Sequence, residues 1–188
     1  MSALTSVPPT LEGSRYEIRA LRTEDYAHLR RLESEIWGED ATGQLCPHYL
    51  RLCTEMFPEW CFLALDHQAP DAATTGPRPV GYVLNFANGR VAYCATLAVH
   101  PDYQKTRVNY LLIRAMVKKL LEADLDECRF LVEPGNDDAR SVHAALGARV
   151  VAEVKDFYQP GDTRLWSVID KADLEKVRAR YTRLKLVS

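Results

Sequence analysis

Gln104, Lys105, Thr106, Arg107, Val108 and Asn109 make a short polar turn. It lies between an apolar run ending Leu97-Ala98-Val99 and a long amphipathic stretch that closes on Lys118 and Lys119. A strand, a tight polar loop and a helix N-terminus are the components of an anion site. The first N–H groups of a helix lack intrahelical partners, and its dipole favours negative charge there. Lys105 and Arg107 add two cations to the same turn. Loops of this kind are usually built from glycine, which lets an anion approach the main chain with no Cβ in the way. This one contains none. The plainer reading is a solvated basic turn that merely joins strand to helix. The five cysteines (Cys46, Cys53, Cys61, Cys94 and Cys128) are odd in number and include no Cys-x-x-Cys pair, so a disulfide framework and a zinc site both lack support. They read as reduced thiols, mostly buried as small hydrophobes, and no metal is expected.

Pattern supplies the elements that would hold this turn. Tyr16–Leu21 alternates and predicts a strand; Thr23 predicts a helix cap, with Glu24 and Asp25 in the first turn, Leu29, Leu32 and Ile36 as apolar stripe, and Gly38 as stop. A second helix is expected over 47–57, and a strand over Trp60–Asp66, with Asp66 and His67 as a turn. Residues 67–79, rich in Pro, Gly, Thr and Ala, read as a long surface loop. Residues 80–99 predict a hairpin about Asn88-Gly89. The next helix, placed at 105–123, would bury Val108, Leu111, Leu112, Ala115, Met116 and Leu120. A short buried strand follows at 128–133. Then comes a helix with Asn136 as cap, Ala139, Val142, His143 and Leu146 as inner stripe, and Gly147 as stop. Two strands joined by Gln159-Pro160-Gly161-Asp162 and a basic helix complete the chain. The order implies an α+β fold with helices on both faces of the sheet and a parallel crossover between Leu97 and Val132.

At 188 residues, 47% hydrophobic and 27% charged, the chain suits one domain, placed at 15–170 between a mobile tail (1–14) and a C-terminal basic helix (171–188). A net charge of −2 provides no global field for nucleic acid or an anionic membrane surface. No run of about 18 apolar residues predicts a membrane span, and no basic-then-apolar leader opens the sequence. A cytoplasmic protein is expected, and a homodimer is left open.

With both ends of the βαβα section in view, the chain resembles the GNAT superfamily of acyl-CoA-dependent N-acyltransferases, over roughly Tyr16 to Ile169. Val99-His100-Pro101-Asp102-Tyr103-Gln104-Lys105-Thr106-Arg107-Val108-Asn109 is similar to the family's Val-x-Pro-x-x-Gln-x-x-Gly-x-Gly/Ala. Asn136-Asp137-Asp138-Ala139, His143 and Gly147-Ala148 are similar to its Asn-x-x-Ala, Tyr and Gly-Phe. The resemblance implies a mixed, mostly antiparallel sheet of about seven strands, splayed between strands 4 and 5. It implies acetyl-CoA as acyl donor and direct transfer of an acetyl group, in a ternary complex, to a primary amine: a small molecule or a protein N-terminus.

The resemblance also assigns roles. Backbone N–H groups from Gln104 to Asn109 would take the CoA pyrophosphate. Leu97, Ala98 and Val99 would bind the pantetheine arm through their main chain, helped by Asn136, with an N–H near Val99 as oxyanion donor. His143 stands where a Tyr often protonates the leaving thiolate. Imidazole, with an ordinary pKa of about 6.5, could do the same. Glu133 could take the proton of an incoming ammonium. Tyr158, in a segment similar to one that meets the acceptor, could contact it or act as acid. Trp37, Tyr49, Trp60 and Tyr93 could line the acceptor pocket or belong to the core. Arg107, Asn109 and His143 depart from the family pattern, and they sustain an alternative: a non-enzymatic acyl-CoA sensor or protein-interaction module on a degenerate GNAT fold.

Overall fold

Two-residue alternation along the strands produces two separate cores, one on each side of a sheet. The computed structural model describes residues 14–38 and 44–183, so the expected tail except Ser14, and positions 184–188 of the expected C-terminal helix, lie outside the described residues. Seven strands, β1 (Tyr16–Ala20), β2 (Phe62–Asp66), β3 (Arg78–Asn88), β4 (Val91–Val99), β5 (Glu127–Val132), β6 (Arg149–Lys155) and β7 (Thr163–Asp170), form one sheet in the order β1-β2-β3-β4-β5-β7-β6. Every pairing is antiparallel except β4 with β5.

On one face, Leu63, Leu65, Tyr82, Leu84 and Ala98 pack with Leu29 and Leu32 of α1 (Tyr26–Trp37) and Leu50 and Cys53 of α2 (Pro47–Glu55). On the other, Ala64, Val80, Val83, Ala92 and Phe130 pack with Val108, Leu112, Met116 and Leu120 of α4 (Val108–Glu122), which follows a single-turn α3 (Ala72–Thr75). The same core takes Leu146, just past α5 (Asp137–Ala145), and Leu174 of α6 (Lys171–Arg183). Residues on adjacent strand positions thus serve different helices, which is why the α+β layering was legible from pattern. Gly81 marks the tightest crossing. A Cβ there would lie 3.1 Å from both the Ala98 carbonyl oxygen and Leu112 Cδ1. Among the described residues no helix is long and apolar enough to cross a membrane.

Several boundaries differ from the sequence expectation, each for a local reason. Thr23 opens a 3-10 turn and caps nothing, because the buried carboxylate of Asp25 takes the Arg22 N–H at 2.8 Å and binds Arg19 at 2.6 and 2.7 Å. Ionised acceptors win such contests. Trp60 belongs to a 3-10 turn, so β2 starts at Phe62. The surface loop after β2 contains α3. The crossover helix starts at Val108 rather than 105, because Thr106 Oγ1 accepts the Val108 N–H at 3.3 Å after a 3-10 turn at Pro101–Tyr103. Leu111 and Ala115 are half-buried, and Val117 and Leu121 take the core positions instead.

Candidate active site

β4 and β5 run together for only four rungs, Val91–Cys94 against Glu127–Phe130. Beyond Cys94 they part. The cause lies on the other edge of β4, where the β3 pairing slips between Leu84 and Asn85: Asn85 faces Cys94 but Leu84 faces Thr96, leaving Ala95 as an extra residue. A bulge of this kind bends and twists the strand that carries it. The freed end of β4 stays paired to β3 through Leu97, Ala98 and Val99. His100 donates its N–H to the Val80 carbonyl at 2.9 Å. Hydrogen-bonded pairs alternate along an antiparallel ladder, so Ala98 bonds to Tyr82 while the main-chain groups of Leu97 and Val99 point away from β3, into the gap. The Val99 carbonyl on that side accepts the Gln104 Nε2 amide at 3.4 Å. The sequence assigned these three residues to a pantetheine-binding edge, and the fold leaves that edge unpaired on the β5 side.

The turn beyond β4 is firmly built. Tyr103 is buried and its hydroxyl donates to Asp66 at 3.1 Å. Asp66, fully buried, also accepts Arg15 Nη2 at 2.8 Å and the Gln68 N–H at 2.9 Å. Burial alone would raise the Asp66 carboxyl, but those donors outweigh it and hold it below the usual carboxylate range. Thr106 Oγ1 donates to the Tyr103 carbonyl at 2.6 Å. These bonds leave the N–H groups of Lys105, Arg107, Asn109 and Tyr110 with no acceptor among the described residues. Lys105 and Arg107 are exposed and form no ion pair among the described residues. None of residues 100–110 has positive φ. The turn therefore has no conformational need for glycine, and Arg107 and Asn109 occupy the glycine positions without backbone strain. A run of unpaired amides flanked by two cations has the chemistry to take a diphosphate.

His143 lies at the fork. Its ring stacks on Phe130, with centroids 4.7 Å apart, and Phe130 forms the last rung with Cys94 before the strands part. Nδ1 is buried without a hydrogen-bond partner among the described residues, while the residue as a whole is only partly buried. Burial lowers the imidazole pKa below the ordinary histidine value, so the neutral ring dominates at neutral pH. Asn136 caps α5 by accepting the Ala139 N–H at 3.0 Å, as the sequence implied.

Glu133 and Tyr158 meet on the opposite face, gathered by Arg164. Arg164 Nη2 is 3.1 Å from Glu133 Oε1 and 2.6 Å from Asp162 Oδ1, and its guanidinium lies 5.2 Å from the centre of the Tyr158 ring. The connection from β6 to β7 presents Tyr158 outward. Asp156, at φ 54, accepts the Gly161 N–H at 2.6 Å, and Asp162 accepts the Tyr158 N–H at 3.2 Å. Tyr93 on β4 reaches this cluster; its phenol is pushed up, first by burial and then by hydrogen bonding with Tyr158. The Tyr49 phenol on α2 is pushed up, chiefly by burial, and its ring packs edge-on against Phe86 with centroids 5.4 Å apart. The fold thus brings Glu133, Tyr158, Tyr93 and Tyr49 to the α1–α2 face, and holds His143 on the α4–α5 side of β5. Trp60 instead packs against the α4 core.

Sequence reasoning missed the Arg15–Asp66–Tyr103 anchor. Arg15 and Asp66 are 51 positions apart, and no local pattern pairs them. It also missed the shaping aspartates Asp156 and Asp162, for which the Pro-Gly turn between them was the available signal.

The sequence model described as the Acetyltransferase (GNAT) family matches residues 26–148, and the chain belongs to that family. No curated protein matches it. Among solved structures it is similar to the NatC complex bound to Gag peptide and CoA, with 18% identity, TM-score 0.68, and coverage of 84% of this chain and 99% of that one. It is similar also to Arabidopsis thaliana Naa50 in complex with the bisubstrate analogue CoA-Ac-MVNAL (13% identity, TM-score 0.67, 84% and 99% covered). A third is Ard1 from Thermoplasma volcanium (18% identity, TM-score 0.65, 84% and 98% covered). At these identities the likeness establishes the fold.

Proposed function

We propose that the protein is an acetyl-CoA-dependent N-acetyltransferase that moves an acetyl group directly to a primary amine, a small molecule or a protein N-terminus, with both substrates bound together. The carrying observation is the fork between β4 and β5, opening onto a turn of unpaired amides. Family membership supports acetyl transfer, and similar folds whose structures hold CoA with a peptide, or a CoA–peptide analogue, support the donor and the kind of acceptor.

In this reading Lys105, Arg107 and the amides around them hold the pyrophosphate. The gap-facing N–H of Val99 receives the thioester carbonyl and stabilises the oxyanion, and Asn136 borders the same arm. Tyr158 and Tyr93 position the amine on the α1–α2 face. Glu133 is committed to Arg164, so it orders that face and takes a proton only through solvent. His143 is neutral, which favours relay of a proton through water at Nε2 over donation from an imidazolium. Proximity supplies much of the acceleration. Free cysteines, four of the five buried, are in keeping with a reducing compartment such as the cytoplasm.

Thermal shift with acetyl-CoA and CoA, followed by thiol release across amines and short peptides, tests the proposal. A thousandfold excess over Kd should stabilise the fold by about 4 kcal/mol. Stabilisation with no thiol release across the panel would replace the enzyme by a sensor, and no stabilisation would remove the donor site. If His143 relays the proton, His143→Phe lowers kcat about tenfold and spares CoA affinity; unchanged kcat removes it from the chemistry.

A further inference from the structure

A carboxylate inside the protein has no part in the chemistry above. Glu33, on the inner side of α1, is fully buried. It accepts the hydroxyl of Tyr82, also fully buried, and its second oxygen accepts the Leu45 N–H at 2.6 Å. No cation pairs with it among the described residues. A buried carboxylate without a counter-charge is costly, and an apolar residue of the same shape would pack there more cheaply. What Glu33 provides is a strong, directed bond to the main chain just before α2. Gln44 Nε2 adds a second tie one position earlier, bonding Ser34 Oγ at 3.0 Å. α2 begins at Pro47; its Tyr49 ring packs edge-on against Phe86 of β3, with centroids 5.4 Å apart, and its Leu50 shares a core with Ala98 on the splayed end of β4. Glu33, Leu45 and the first turn of α2 therefore form a continuous line from the interior to the β3–β4 side of the gap.

We infer that Glu33 is a positioning residue for the amine acceptor: its carboxylate fixes Leu45, and through it sets the entry of α2 against the splayed end of β4. This deepens the acetyltransferase reading and rests on it. The donor turn is tied separately, through Asp66 and Tyr103, and does not depend on Glu33. The two halves of the site should therefore respond differently.

The test is a bisubstrate kinetic series. Glu33→Leu fills the space but cannot accept the Leu45 N–H. It should raise KM for the amine about tenfold while KM for acetyl-CoA stays within about twofold. Glu33→Gln keeps an amide oxygen for Leu45 and should bring the amine KM back to within about threefold of the parent. Should Glu33→Leu fail to fold, Leu45→Pro removes the N–H donor from the other side and should reproduce the amine effect. If both KM values rise together, or neither moves, or Glu33→Gln behaves like Glu33→Leu, the positioning role is wrong although the enzyme stands. A parent protein that releases no thiol with any amine refutes the transferase reading and this role with it.

Discussion

The two sides of the fork are built by different means. On the donor side, a turn with no glycine is held by side-chain bonds, one of them buried (Tyr103 on Asp66) and two partly so (Asp66 on Arg15, Gln104 on Val99), and what it would offer a ligand is main chain. On the acceptor side, what is offered is side chain: Tyr158 is 66% exposed, Arg164 is shared by Asp162 and Glu133, and β6 is exposed along almost its whole length. On the proposed reading the donor side would bind by backbone, which would tolerate changes of side chain, including Arg107 and Asn109 in place of glycine. The acceptor side, built of side chains, would change specificity when those side chains change. A fold that keeps one substrate constant and varies the other would be divided in this way.

The largest expected effect tests whether the donor side depends on charge as well as amides. Lys105→Glu with Arg107→Glu should weaken CoA binding about a hundredfold by calorimetry, leave the fold intact, and flatten the dependence on salt. An unchanged Kd would mean that the amides alone suffice. Next is the scaffold both sides share. Gly81→Val forces a side chain between Ala98, Val99 and Leu112 and should lower stability by about 2 kcal/mol in urea unfolding, with the loss of CoA affinity following from a displaced β4. A neutral result would show that β4 and α4 can separate without disturbing the fork.

A smaller effect probes the anchor. Tyr103→Phe removes one donor from buried Asp66 and should cost about 1 kcal/mol of stability and about threefold in CoA affinity, with the amine KM unmoved. A change in the amine KM would erase the division between the two sides. The smallest concerns His143, at the boundary. Burial lowers its folded pKa below the unfolded value, so the unfolded chain takes up the proton first. The stability gained by holding the ring neutral is present above the ordinary histidine pKa and is lost as pH falls through it toward the folded value. His143→Phe should therefore lose less Tm than the parent between about pH 7 and about pH 5. Parallel curves would mean that the ring is as easily protonated in the fold as in water.

The legible parts of the sequence were those governed by short-range periodicity. Alternation in 80–99 and the three-four spacing in 108–120 specified strand and helix, and Asn136 with Asp137 and Asp138 specified a helix start, because each depends on neighbours within one or two turns. The strand–turn–helix at Leu97–Asn109 pointed to the proposed donor site for the same reason: the unpaired amides belong to consecutive residues. By itself the sequence determined an α+β fold and its element order, and it singled out one turn as the candidate for an anion. Which residues share a face across the sheet was left to the tertiary structure. It set Tyr93 beside Tyr158, put His143 against Phe130 on the far side of β5, and placed Glu33 under Leu45. The faces that Tyr93 and Phe130 present depend on strand register beside a bulge at Ala95, and a one-residue slip would reverse them; Glu33 meets Leu45 through a contact that no local periodicity encodes.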